Sequence, residues 1–157
     1  MLKALVPVDG SENALSAVRH VVRLVKDREP LDIHLLNVQP PMHGDVTAFV
    51  AKANIHDFHR EQGHKALAAA CALLDEAGVR YTTHIFVGHP GEVIADCAGK
   101  LRCDKVIMST HGYGTITQLL LGSVSHDAIH RMDPRIPVTL VKSGYCDTTQ
   151  TAPGQPT

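Results

Sequence analysis

The chain alternates between short apolar runs and longer stretches in which apolar residues recur every three or four positions. Leu2 to Val8 is a compact apolar run ending at Pro7-Val8-Asp9-Gly10. Such a run, apolar at odd and even positions alike, suits a strand buried on both faces. From Ser11 to about Lys26 the period changes. Ala14, Ala17, Val18, Val21, Val22 and Val25 recur at helical spacing. Asp32 to Val38 is the next strand, stopped by Gln39-Pro40-Pro41. Residues 42–50 read as an irregular or partly helical connection. A long Ala- and Leu-rich helix then runs from about Val50 to Ala77, with Gly78 as its stop. Arg80 to Val87 is a third strand, rich in β-branched and aromatic residues. Gly88-His89-Pro90-Gly91 is a loop whose proline suits a helix start, and Glu92 to Leu101 continues at helical period. A strand at 104–109, a glycine-containing loop, a helix at 123–131 and a strand from Val138 to Lys142 complete the pattern. From Ser143 onward Gly, Thr, Gln and Pro dominate, which predicts a disordered tail at 143–157.

Strands alternating with helices predict a single α/β domain. Its sheet is parallel and open, because parallel neighbours require crossovers, and helices cover both faces. In such sheets ligands bind past the carboxyl ends of the strands, where the winding reverses. Asp9, Val38 and Ser109 all fall at predicted carboxyl ends. They are distant in sequence, yet this topology brings them to one edge.

The densest candidate chemistry lies late in the chain. Met108-Ser109-Thr110-His111-Gly112 is separated by nine residues from Gly122-Ser123-Val124-Ser125. The first segment follows the strand Asp104-Lys105-Val106-Ile107-Met108, and the second opens a helix. A strand, a loop with glycines and hydroxyls, and a helix N-terminus make an anion site, because backbone N–H groups and the helix dipole point there. Glycine lets backbone approach a phosphate that a Cβ would block.

Charge and composition narrow the class. A formal net charge of −1 gives no basic excess for nucleic acid and no acidic excess for disorder. No apolar run approaches the roughly 20 residues that span a bilayer. The N-terminal apolar run meets a proline and an acid too early for a secretory signal, so the chain reads as cytoplasmic. Cys71, Cys97, Cys103 and Cys146 lack CxxC spacing, which argues against zinc or redox chemistry. Cys71 and Cys97 read as small buried hydrophobes. His56, His59 and His64 share one helix, and the first two have a spacing that can chelate metal, but no carboxylate or cysteine completes a set. They read as a solvated helix face.

The whole pattern resembles the universal stress protein family over residues 1–142. Leu5-Val6-Pro7-Val8-Asp9-Gly10-Ser11-Glu12 is similar to the family's first strand and turn, and Leu36-Asn37-Val38 to the end of its second strand. Asp104 to Gly112, followed by Leu119-Leu120-Leu121-Gly122-Ser123-Val124, resembles its nucleotide loop. Ile136-Pro137-Val138-Thr139-Leu140-Val141 resembles its closing strand. ATP-binding members carry Gly, two residues, Gly, nine residues, then Gly and Ser or Thr. Gly112, the nine-residue spacer, Gly122 and Ser123 fit, and Ser109 stands at the first glycine.

The resemblance implies a Rossmann-like five-stranded sheet of order 3-2-1-4-5. It also implies an adenine nucleotide, ATP or AMP, with Mg2+ or Mn2+ carried on the phosphates. Pro7, Val8 and Asp9 would hold the adenosine end. Asp9 can accept from ribose or the adenine amino group, and can equally cap the following helix. Val38 would offer an apolar wall, or is plain core. Met108, Ser109, Thr110, His111, Gly112, Tyr113, Gly114 and Thr115 would wrap the phosphates. Gly122, Ser123, Val124 and Ser125 would meet the terminal phosphate oxygens, or serve as ordinary helix capping. No GxxxxGK[ST] pattern, no GxSxG elbow and no paired acid and base occur, which favours a binder over an efficient hydrolase, and the resemblance implies a stress or signalling module that acts by changing conformation or partners. A slow ATP hydrolase and a ligand-free dimeric interaction module are the alternatives. The last strand, Val138 to Lys142, with its uncovered edge, predicts a homodimer.

Overall fold

The computed structural model describes residues 1–42, 52–110 and 122–145. Five strands, β1 (Leu2–Pro7), β2 (Leu31–Gln39), β3 (Tyr81–Val87), β4 (Lys105–Ser109) and β5 (Val138–Val141), form one parallel sheet of order β3-β2-β1-β4-β5. Four helices alternate with them: α1 (Leu15–Lys26), α2 (Lys52–Glu76), α3 (Pro90–Lys100) and α4 (Ser123–Arg131).

The central strand β1 shows why its sequence from Ala4 onward is apolar at odd and even positions alike. Ala4 and Val6 join Ile33, Leu35 and Ile107 under α1 and α2 on one face. Leu5 joins Leu36, Val38, Val106 and Met108 under α3 and α4 on the other. Leu5, Leu35, Leu36 and Ile107 are fully buried. Each contributes about 1.5–3 kcal/mol as an upper estimate.

Two differences from the sequence reading concern the start of α1 and the burial of His59. Helix α1 begins at Leu15 rather than Ser11. Asp9 Oδ1 accepts from the Ser11 amide at 2.9 Å and the Ser11 hydroxyl at 2.5 Å. Ser11 Oγ in turn accepts from the Ala14 amide. These short-range bonds hold a turn that competes with helix. Beyond β5 the described residues continue to Tyr145. Tyr145 packs edge-on against His20, with ring centroids 5.3 Å apart. Residues 146–157 lie outside the described ones. Finally, His56 and His64 are exposed as expected, but His59 is buried.

Candidate functional site

From β1 the chain winds outward through β2 and β3 on one side, then returns to β4 and continues to β5 on the other. The loops after β1 and β4 therefore diverge toward opposite faces, which opens a crevice between two adjacent carboxyl ends. Asp9 and Thr110 stand at its two sides.

The β1 side is clamped to β2. Pro7 and Val8 are buried and Asp9 is half-buried. The Val8 amide donates to the Leu36 carbonyl, and Asn37 Nδ2 donates back to the Val8 carbonyl, both at 2.8 Å. Gln39 Nε2 donates to Asn37 Oδ1 at 2.7 Å. Asn37 is buried within an apolar strand. A buried amide must find partners, and these two fix the chain just before Asp9. Sequence reading gave Asn37 no role; an amide inside an apolar run was its signal. Asp9 itself spends one oxygen on the Ser11 turn. Val38 and Met108 are buried in the same apolar cluster and form the floor on that face.

On the β4 side, Ser109 is buried, and the Thr110 amide donates to the Val141 carbonyl at 3.0 Å. The Gly122 amide then donates to the Thr110 carbonyl at 2.8 Å. The two stems, Thr110 and Gly122, are thus joined. His111, Gly112, Tyr113, Gly114 and Thr115 lie within that segment and outside the described residues. Ser125 is buried, and its hydroxyl donates to the Ser109 carbonyl at 3.0 Å, which docks α4 onto β4. Ser123 is exposed at the helix start and Val124 packs against the apolar cluster. The N-cap, Gly122, has φ −54°, a conformation open to any residue. What glycine supplies there is the absence of a side chain. Among the described residues no side-chain cap and no acidic residue fills the first turn of α4, and that end carries the positive pole of the helix.

No group of three His, Cys, Asp or Glu among the described residues is placed to hold a metal. No helix there is long and apolar enough to cross a membrane. Cys97 and Cys103 are buried, and burial pushes both thiols up to about 11, which keeps them protonated and unreactive. A titratable cluster that sequence reading missed spans β2 and β3. His34 Nε2 meets Asp32 Oδ2 at 3.2 Å, and His34 Nδ1 meets His84 Nε2 at 2.8 Å. A carboxylate only accepts, so His34 carries its proton on Nε2 and accepts from His84 when both rings are neutral. The contact is diagonal across the ladder, because His84 pairs with Leu36.

A doubly wound parallel α/β protein with its loops gathered at the switch point is the class that this fold and crevice define. The chain matches the model of the universal stress protein family over residues 1–142. It belongs to that family. It is 30% identical over 146 residues to universal stress protein MJ0531 of Methanocaldococcus jannaschii, covering 89% of this chain and 81% of that protein. Among solved structures it is similar to protein MJ0577, with a TM-score of 0.75, 28% identity, and coverage of 92% of this chain and 98% of the other. The fold is shared with a universal stress protein in complex with cAMP, at TM-score 0.67, 22% identity, 91% of this chain and 98% of the other. It is shared too with an Arabidopsis thaliana family member with AMP bound, at TM-score 0.64, 18% identity, 98% of this chain and 97% of the other.

Proposed function

We propose that this protein is an adenine-nucleotide-binding stress or signalling module that acts by changing conformation or partners. The observation that carries this reading is the open N-terminus of α4, uncapped and without acid in its first turn, beside the switch-point crevice. Structural neighbours with cAMP or AMP bound support the choice of adenine nucleotide. In this reading Asp9 faces the adenosine end, Val38 and Met108 form the apolar wall, and residues 109–115 with 122–125 take the phosphates. Any Mg2+ or Mn2+ rides on phosphate oxygens.

The test is calorimetric titration of ATP and AMP into the purified protein and into Ser123→Asp. A carboxylate in the first turn suits the helix dipole, so the fold survives. The same carboxylate opposes phosphate by about 4 kcal/mol per charge pair at roughly 4 Å and an effective dielectric of about 20. The expected result is loss of measurable affinity in the variant. Equal affinity in both proteins refutes the site.

Assembly is part of the same proposal. The short strand β5 is an edge, and Leu140 is 38% exposed on it. Pairing with a second copy about a two-fold axis satisfies both edges. Light scattering at micromolar concentration is expected to give a dimer, and Leu140→Pro a monomer; a monomeric parent protein refutes the pairing.

A further inference from the structure

A second cavity, of about 350 Å3, lies between the amino-terminal half of α2 and the carboxyl-terminal half of β3. Its helix wall is His56, His59, Arg60 and His64, and its strand wall is Thr83, Ile85 and Val87. The volume falls in the range of small-ligand sites.

The inward stripe of α2 explains how the cavity forms. Leu67, Ala70 and Leu74 are buried and apolar. One step toward the N-terminus, Gly63 brings the helix so close to β3 that a Cβ there would lie 2.6 Å from Ile85 Cγ2. The next inward position is His59, where continued packing would call for an apolar side chain. His59 is 93% buried by its 7% exposure, and its Nδ1 is enclosed without a hydrogen-bond partner. A buried imidazole nitrogen without a partner is uncommon in a folded protein, and the residue that carries it lines this cavity.

The lining chemistry says which group. Three histidines, one arginine and one threonine line the space, and no Asp or Glu among the described residues does. The imidazoles are not arranged to chelate a metal. Arg60 makes no ion pair among the described residues, so its planar donors are uncommitted. Ile85 and Val87 supply an apolar strip opposite. We infer that this cavity is a second ligand site, separate from the switch-point crevice, that takes a small phosphate ester. Its phosphoryl group is held by Arg60 and the imidazoles, and its apolar part lies on Ile85 and Val87.

Phenyl phosphate is the probe, titrated into the full chain while the imidazole nitrogens are followed by NMR. The expected result is saturable shifts at His59. Arg60→Ala, an exposed position away from the nucleotide crevice, is expected to weaken this binding at least tenfold and to leave AMP affinity unchanged. Ser123→Asp is expected to do the reverse. No response at His59, undiminished binding in Arg60→Ala, or loss of phenyl phosphate binding in Ser123→Asp overturns the inference. So does zinc chloride alone saturating the same imidazoles at equimolar concentration, which makes the cavity a metal site. His59→Phe, with its fold checked by circular dichroism, is expected to abolish the response; retention of it in that variant also counts against the assignment.

Discussion

Gly63→Ala sets two opposing effects against each other on α2. Alanine favours an exposed helix interior over glycine by about 0.8–1.0 kcal/mol. The added methyl, however, meets Cγ2, Cδ1 and Cγ1 of Ile85 at 2.6, 2.7 and 2.9 Å. Both branches of a β-branched side chain are in the way, so no single χ1 turn clears the contact. The helix must retreat from β3 by roughly 1 Å to restore ordinary van der Waals spacing. Overpacking of this kind costs about 1–3 kcal/mol. The net expectation is destabilisation of up to about 2 kcal/mol, or roughly 2–8 °C in Tm for a domain of this size. Ile85→Ala removes all three clashing atoms and itself costs about 2–5 kcal/mol less a discount for partial burial. The double variant should then be more stable than additivity predicts, by about 1–2 kcal/mol of coupling. Urea denaturation of the four proteins measures the cycle. A Gly63→Ala protein more stable than its parent, or a cycle with zero coupling, refutes the close approach of α2 to β3.

Three further outcomes are expected. Ser125→Ala removes the buried bond to the Ser109 carbonyl and should destabilise by about 1 kcal/mol in urea denaturation; an unchanged midpoint contradicts the docking role. Cys97 and Cys103, with thiols at about 11, should resist a thiol reagent at pH 8 until the protein is unfolded; peptide mapping that finds rapid native labelling at either position contradicts their enclosure. Burial, with smaller effects of His34 and Lys3, lowers the His84 pKa, and burial also lowers that of His20. The unfolded chain therefore binds these protons first on acidification, so stability is full above the ordinary imidazole range and falls as pH drops through it. The urea midpoint should decline from pH 7.5 to 5.0, and less so in His84→Gln; an equal decline in both proteins removes His84 from the cause.

Most of the fold was legible because the strands carry their burial in their sequence. Leu5 beside Val6, and Leu35 beside Leu36, are apolar at both parities, which only a strand covered on two faces requires. The helices showed their period, and Gly78 and Pro90 marked their ends. The start of α1 was misplaced because Asp9 and Ser11 make bonds that helix periodicity does not encode. The two stems were legible as a pair of glycine-bearing segments, but the bond between Gly122 and Thr110 is a contact between residues distant in sequence. His59 was read by its charge class together with His56 and His64. Its position in the stripe with Gly63, Leu67, Ala70 and Leu74 pointed inward, and period alone would have separated it from its neighbours. The His34–His84 contact depends on strand register, which short apolar strands do not specify.

The hydrogen bonds from the Gly122 amide to the Thr110 carbonyl and from the Ser125 hydroxyl to the Ser109 carbonyl join the two stems without calling on the residues between them. Once the two stems are joined, β4, α4 and β5 keep their places whatever the length of the connecting chain. Doubling that length adds only about 0.6 kcal/mol of closure entropy. The joined stems are therefore a socket for a segment that can be exchanged. Substituting residues 111–121 with the corresponding segment of another family member is expected to leave the sheet beneath as it is.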